Sequence, residues 1–195
     1  TYGLHSKAIY SAIFSPEGKT IASKSDDGVK LWDISTGKEI KTFKGDSEGF
    51  RSVNFSTDGK PIAFAADDKT LKLWDISTGK EIKTFKGDFK GFGSVKFSPY
   101  GKTIAFASGD TTKLWDISTG REIKSFKGHS QPVNSVSFSP DSKTVASASG
   151  DKTIKLWDIS TDREIKTFKG HSQRVTSVSF SQMVKPLLLH HMTTL

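Results

Sequence analysis

The chain contains no cysteine in 195 residues. That excludes a disulfide framework, suits a reducing compartment, and sets cytoplasmic as the expected location. There is no run of 18 apolar residues and no signal-peptide pattern, so neither a membrane-spanning helix nor membrane association is expected. Proline and glycine, at 6 and 17, are not enriched, so the segments between patterned stretches are turns and not low-complexity linkers. Acidic side chains fall short of basic ones, 21 against 29, leaving a net charge of +8 and a pI near 9.5. Disorder is excluded by a composition that is 34% hydrophobic and 11% aromatic, with 14 phenylalanines. The length allows one domain or a little more. The first residue is Thr1 and not Met, which is expected if an upstream portion was removed or never included.

What the chain does have is a repeated sentence. Trp32-Asp33, Trp74-Asp75, Trp115-Asp116 and Trp157-Asp158 each sit in a close variant of KLWDISTGKEIK, and the tryptophans recur 42, 41 and 42 residues apart. Such a period marks one supersecondary unit copied several times. Basic residues recur with it, at every third position after each Trp-Asp: Lys38, Lys41 and Lys44; Lys80, Lys83 and Lys86; Arg121, Lys124 and Lys127; Arg163, Lys166 and Lys169. Lysine on exposed strand edges discourages edge-to-edge pairing; the same spacing also suits a rim that binds polyanions.

The fourth unit shows the grammar best. Residues 133–138 alternate as a strand does, 139–142 carry turn chemistry, 144–149 are a second strand with small side chains, and 153–157 are β-branched and aromatic. Residues 164–168 then make a charged fourth strand. Short strands with a turn signal about every ten residues indicate an all-β protein. A lone four-stranded sheet cannot bury both of its faces, whereas sheets stacked about an axis can.

Gly-His, then Ser-Pro-Asp, then Trp-Asp at this period resembles the WD-repeat β-propeller family, over residues 3 to about 181. The resemblance implies a β-propeller of four-stranded antiparallel blades, at about 8–43, 50–85, 92–126 and 133–168. An incomplete fifth would follow, with its innermost strand at about 174–180. It also implies a hydrogen-bonded tetrad in each blade. Residue by residue, that carries over to His5, Ser23, Asp27 and Trp32 in the first unit, and to His129, Ser147, Asp151 and Trp157 in the fourth. Units two and three depart together: Asp46 and Asp88 replace the histidine, and Phe64 and Phe106 replace the serine. A buried serine without its histidine lacks a partner, and an aromatic ring fills the volume instead. Blades two and three are therefore expected to be held by aromatic packing, flanked by blades with intact tetrads.

The tail, residues 182–195, breaks the pattern. Back-translated with permitted codons and read from the last base of the Ser181 codon, it spells Pro-Asp-Gly-Lys-Thr-Leu-Ala-Ser-Ala-Ser-Tyr-Asp-Asn-Thr, a continuation of the repeat. A one-base deletion is the expected origin, and sequencing the DNA tests it. Family propellers usually have seven blades, so four and a fraction would leave apolar faces open. Two remedies are expected: a homodimer that closes a ring of about eight to ten blades, or a tail that caps the last blade.

No set of residues argues for catalysis, a cofactor or a metal. Ser, His and Asp in units one and four recur with the fold repeat, without a Gly-x-Ser-x-Gly elbow, and are not read as a triad. His190 and His191 with His171 are not read as a metal site, since adjacent histidines in a strand point to opposite faces. Residues 150–153 lack the phosphate-loop spacing. The pairs Asp26-Asp27 and Asp67-Asp68 are turn residues and not a calcium cage. Binding is the better expectation, because some matched positions vary between units while the scaffold does not: Tyr10, Arg51, Gly93, Asn134 and Thr176 correspond, as do Lys7, Glu48, Lys90, Gln131 and Gln173. Tyr10, Arg51, Asn134 and Thr176 form the candidate partner-binding face, with Tyr10 and Arg51 its anchors. The reading is a non-catalytic protein–protein interaction scaffold with an unidentified protein partner. Its alternatives are a truncated relic that self-assembles without a dedicated ligand, and a basic rim for polyanions or nucleic acid, the latter not favoured.

Overall fold

A computed structural model describes residues 5–44, 50–66, 68–86, 90 and 92–181. These fall into two compact units, Thr1–Asp88 and Phe89–Leu195. The expectations placed on Asp46, Glu48, Asp67, Asp88, His190, His191 and the tail lie outside the described residues. Four four-stranded antiparallel sheets account for the regular structure, each running in chain order from its first strand to its fourth. Among the described residues no helix occurs. The first unit holds β1 (Ile9–Phe14), β2 (Thr20–Ser25), β3 (Gly28–Asp33) and β4 (Glu39–Phe43), then β5 (Phe50–Phe55), β6 (Pro61–Ala66), β7 (Thr70–Asp75) and β8 (Glu81–Lys86). The second holds β9 (Phe92–Phe97), β10 (Thr103–Ser108), β11 (Thr111–Asp116) and β12 (Glu122–Lys127), then β13 (Val133–Phe138), β14 (Thr144–Ser149), β15 (Ile154–Asp158) and β16 (Glu164–Phe168).

Within each unit, consecutive sheets bury a small-residue strand against a large-residue strand. In the first unit Ala22, Val29, Leu31 and Phe43 of blade one meet Phe50, Val53, Phe55 and Phe64 of blade two. In the second, Ala105, Ala107, Leu114 and Phe126 meet Val133, Val136, Phe138 and Trp157. Alanine in the second strand lets the sheets approach closely, and the branched and aromatic side chains opposite fill the gap. The segment expected as a fifth innermost strand differs from the other four. It carries one bridge residue, Ser179, and no strand. Val175 and Val178 nevertheless bury against Ala146, Ala148 and Ile154. Its backbone is held by side chains of β13: Asn134 Nδ2 donates to the Val175 carbonyl at 2.8 Å, and the Phe180 N–H donates to Ser137 Oγ at 3.2 Å.

Two turns recur and explain the motif spellings. After each Trp, the Asp carboxylate gathers the next turn. Asp33 Oδ1 accepts from the Ser35 hydroxyl at 2.6 Å and the Thr36 N–H at 2.8 Å, and Asp75, Asp116 and Asp158 do the same. These bonds, the serine hydroxyl's first, hold the carboxyls of Asp75, Asp116 and Asp158 at about 2. In the turn after each first strand, spelled Ser-Pro-x-Gly in blades one and three, Ser-Thr-Asp-Gly in blade two and Ser-Pro-Asp-Ser in blade four, the last residue takes a positive φ: 69° at Gly18, 69° at Gly59, 67° at Gly101 and 57° at Ser142. A side chain in that region costs about 1–2 kcal/mol, and the Ser142 hydroxyl is also buried without a hydrogen-bond partner. Ser142→Gly is therefore expected to stabilise the fold by about 1 kcal/mol, after the entropy of the more flexible glycine is subtracted. Chemical denaturation with an unchanged slope checks it.

Lysines of the third strands, and two of the basic repeat positions, act within the fold. Lys30 donates to Glu39 at 2.8 Å and Thr42 at 3.0 Å, and Lys155 to Glu164 at 2.7 Å and Thr167 at 2.8 Å. Lys113 pairs with Glu122 at 2.9 Å. Lys41 reaches from blade one to the Ser77 carbonyl of blade two at 3.3 Å, and Lys124 from blade three to Asp162 of blade four at 2.7 Å.

Candidate interaction site and the hydrogen-bond tetrads

The tetrad residues of the first and fourth units come together in space. His5 Nδ1 lies 2.5 Å from Asp27, its Nε2 lies 2.6 Å from Ser23 Oγ, and the Trp32 indole N–H donates to Ser23 Oγ at 2.7 Å. In blade four the three distances, among His129, Asp151, Ser147 and Trp157, are each 2.8 Å. The partners decide the tautomer. A carboxylate only accepts, so Nδ1–H donates to it, and Nε2 then accepts from the serine hydroxyl, whose oxygen takes the indole proton. Every polar atom in the chain of bonds is used.

Asp27 is also bonded by Ser6, and with the His5 bond foremost its carboxyl is drawn far below the usual carboxylate range. Burial pushes the Asp151 carboxyl up, but bonds from Thr153, His129 and Ser130 outweigh it and leave the group at about 2. Ser147 is fully buried and Ser23 only 4% exposed, so neither hydroxyl can meet a substrate.

In blades two and three phenylalanine stands at the serine's place and offers no hydroxyl to such a chain of bonds. The Phe64 ring is fully buried, with Phe50 at 4.8 Å and Phe43 at 5.2 Å between centroids, and Phe43 also lies edge-on to Trp74 at 5.6 Å. The Trp74 indole N–H has no hydrogen-bond partner among the described residues. In blade three Phe106 is buried, and its ring lies 6.2 Å from that of Trp115.

These two kinds of buried centre, on four sheets with one tryptophan each, accompany a direct match to a known family. The WD40 family, described as "WD domain, G-beta repeat", matches residues 1–33, 37–75, 79–116, 120–158 and 162–183. The chain belongs to the WD40 repeat family. A transcriptional corepressor of Arabidopsis thaliana, LEUNIG_HOMOLOG, is 41% identical over 51 residues, which is 26% of this chain and 6% of that protein. The chain thus spans a small part of the relative's length.

The WD40 sheets also show why some matched positions vary. In β1, β5 and β13 the register shifts between Ile9 and Ser11, between Phe50 and Ser52, and between Val133 and Ser135. Tyr10, Arg51 and Asn134 are therefore the extra residues of β-bulges, which release a side chain from the pleat and re-aim it. A second set of bulges sits at each tryptophan, between Leu31 and Trp32 and at the three matching steps. Neither set is visible in the spelling of the repeat.

Tyr10 is 59% exposed and braced from two sides. Its hydroxyl donates to Asp26 at 2.7 Å, and the Lys24 ammonium lies 5.1 Å from its ring centre while donating to the Phe50 carbonyl of the next blade at 2.7 Å. The Asp26 bond raises the phenol above its ordinary pKa. Arg51 is exposed at the same strand end. In the second unit Asn134 is half-buried and bonded to Val175, and Thr176 is half-buried. Sequence reasoning passed over Lys96, which stands where the other blades have Ile13, Asn54 and Ser137. Burial pulls its ammonium pKa down.

Proposed function

We propose that this WD40 chain is a non-catalytic protein–protein interaction scaffold whose first unit presents Tyr10 and Arg51 to a partner protein. The observation that carries the reading is the bulge. A rigid, repeated sheet holds an exposed tyrosine in one orientation through Asp26 and Lys24, so little side-chain entropy remains to be lost on docking. A scaffold role agrees with the name of the matched corepressor. Two of the basic repeat positions, Lys41 and Lys124, are engaged on the next blade, by carbonyls and by Asp162, which supports it over a polyanion rim. Affinity capture tests both. A saturable partner lost on Tyr10→Ala or Arg51→Ala supports the scaffold, whereas capture of nucleic acid that falls steeply with salt supports the rim. Absence of any saturable partner supports the relic.

A second reading, self-association, is favoured by one contrast. Phe14 in β1 is 68% exposed, while Phe55, Phe97 and Phe138 at the matching positions are 6%, 6% and 8% exposed. Ile9, at the other end of the same strand, is 57% exposed. We propose that this face packs against a second copy, in a homodimer that closes a ring of about eight to ten blades. The expected result is a dimer in sedimentation equilibrium that Phe14→Glu weakens by at least about tenfold, because a carboxylate would be buried unpaired. A monomer at every concentration would rule it out.

A further inference from the structure

At the strand ends opposite the Asn134 bulge, a cavity of about 170 Å³ lies between blades three and four of the second unit. Leu114, Ile123 and Phe138 supply its apolar wall. A cavity of about 150 Å³ lined by Leu, Ile and Phe accepts a benzene ring, so a single bulky apolar side chain fits here. The mouth is polar and cationic. Tyr100, 69% exposed, stands beside Lys102 and Lys124. Lys124 is neutralised by Asp162 at 2.7 Å, which leaves Lys102 as the exposed cation. The same cavity is lined by Ser142, whose buried hydroxyl has no hydrogen-bond partner. An orphaned buried hydroxyl in a native fold requires an explanation.

The repeat supplies an internal comparison. Between blades one and two, Glu17 stands at the place of Tyr100, Gly59 at that of Ser142, and Lys41 at that of Lys124. There the Glu17 side chain folds over the glycine: its carboxylate Oε2 is 2.8 Å from where a Cβ on Gly59 would sit. Lys41 is turned onto the Ile76 and Ser77 carbonyls. The first groove is covered by one of the chain's own carboxylates, and the second has lost that cover while gaining a hydroxyl and an exposed phenol.

We propose that the groove between blades three and four binds a short acidic peptide segment of a partner protein. One bulky apolar side chain seats against Leu114, Ile123 and Phe138, and the adjoining carboxylate meets Lys102 at the mouth. Like-charge repulsion from the basic surface disfavours cationic peptides, and the apolar wall disfavours purely acidic ones. The groove shares no residue with the site around Tyr10, so its failure leaves the docking reading there untouched.

The test is an NMR titration of the isotope-labelled full chain with the blocked pentapeptide Glu-Asp-Leu-Asp-Glu. Controls are the same peptide with serine at the centre, and Lys-Lys-Leu-Lys-Lys. Saturable shifts confined to residues 98–103, 114, 123 and 138–142 are expected for the first, with both controls at least about tenfold weaker. Tyr100→Glu, which copies the cover of the first groove, is expected to remove binding with the rest of the spectrum unchanged. Lys102→Glu is expected to weaken it by about tenfold as a second variant outside the apolar wall. The proposal is overturned by no saturable shift up to the solubility limit, by equal binding of the serine or lysine peptides, or by binding that survives Tyr100→Glu.

Discussion

Truncation of Phe64 to alanine is expected to lower the stability of the first unit by about 3–5 kcal/mol, the range for a fully buried phenylalanine. Phe64 is 0% exposed and shares its site with Phe43 and Phe50, so the cavity left behind is walled by rings that cannot easily collapse into it. Phe64→Ser separates aromatic packing from polar bonding. It removes the same ring but puts a hydroxyl at the position that Ser23 and Ser147 occupy, where it can accept from the Trp74 indole N–H. Relative to Phe64→Ala it is therefore expected to regain about 1 kcal/mol. Equilibrium denaturation of the three proteins checks this. If the serine variant is less stable than the alanine variant, then the indole N–H is not what the serine meets.

The second large effect is in blade four. Ser147→Ala leaves both the Trp157 indole N–H and His129 Nε2 without their shared partner inside the fold. Each orphaned group costs about 1–3 kcal/mol, so a loss of about 2–4 kcal/mol is expected, larger than for an ordinary buried serine. Trp157→Phe in the same background should then add little beyond the indole's packing on Phe126, since the bond is already broken. The tetrad also makes stability depend on pH. Asp151 sits at about 2 in the folded chain against an ordinary value of 3.8. A depressed carboxyl contributes stability that is complete above the unfolded value and is lost as pH falls through the folded one. Asp151→Asn is thus expected to destabilise the protein at neutral pH and to flatten its acid profile between about pH 4 and pH 2. A profile in that window unchanged by the substitution would show that the carboxylate is not the group responsible.

Much of the fold could be read in the chain because the code is local. The Asp after each tryptophan must meet Ser and Thr two and three residues later, and it does so in four turns of one spelling. The loss of serine at 64 and 106 was informative for the same reason, since hydroxyl and ring are different solutions for one volume. The Lys30–Glu39 pair was legible in principle: nine residues apart around one turn, the two lie diagonally across neighbouring antiparallel strands, within reach of a long side chain. Other features were not. Lys41 and Lys124 look like further members of a basic rim, and only the packing of one sheet on the next shows that they reach the following blade. Asn134 looks like a variable surface residue, but its amide holds the segment after blade four.

By itself, then, the order of residues settled the repeat, the strand count of each blade, the turn chemistry and the two kinds of buried centre. Each of these depends on alternation, turn propensity and side-chain volume within about forty residues of chain. Tertiary structure alone decided which side of each strand meets a neighbour, where the register slips to re-aim Tyr10 and Arg51, and why one groove is covered by Glu17 while its counterpart beside Tyr100 stands open. Those outcomes depend on contacts between sheets, where side chains distant in sequence compete for the same space and the same hydrogen bonds.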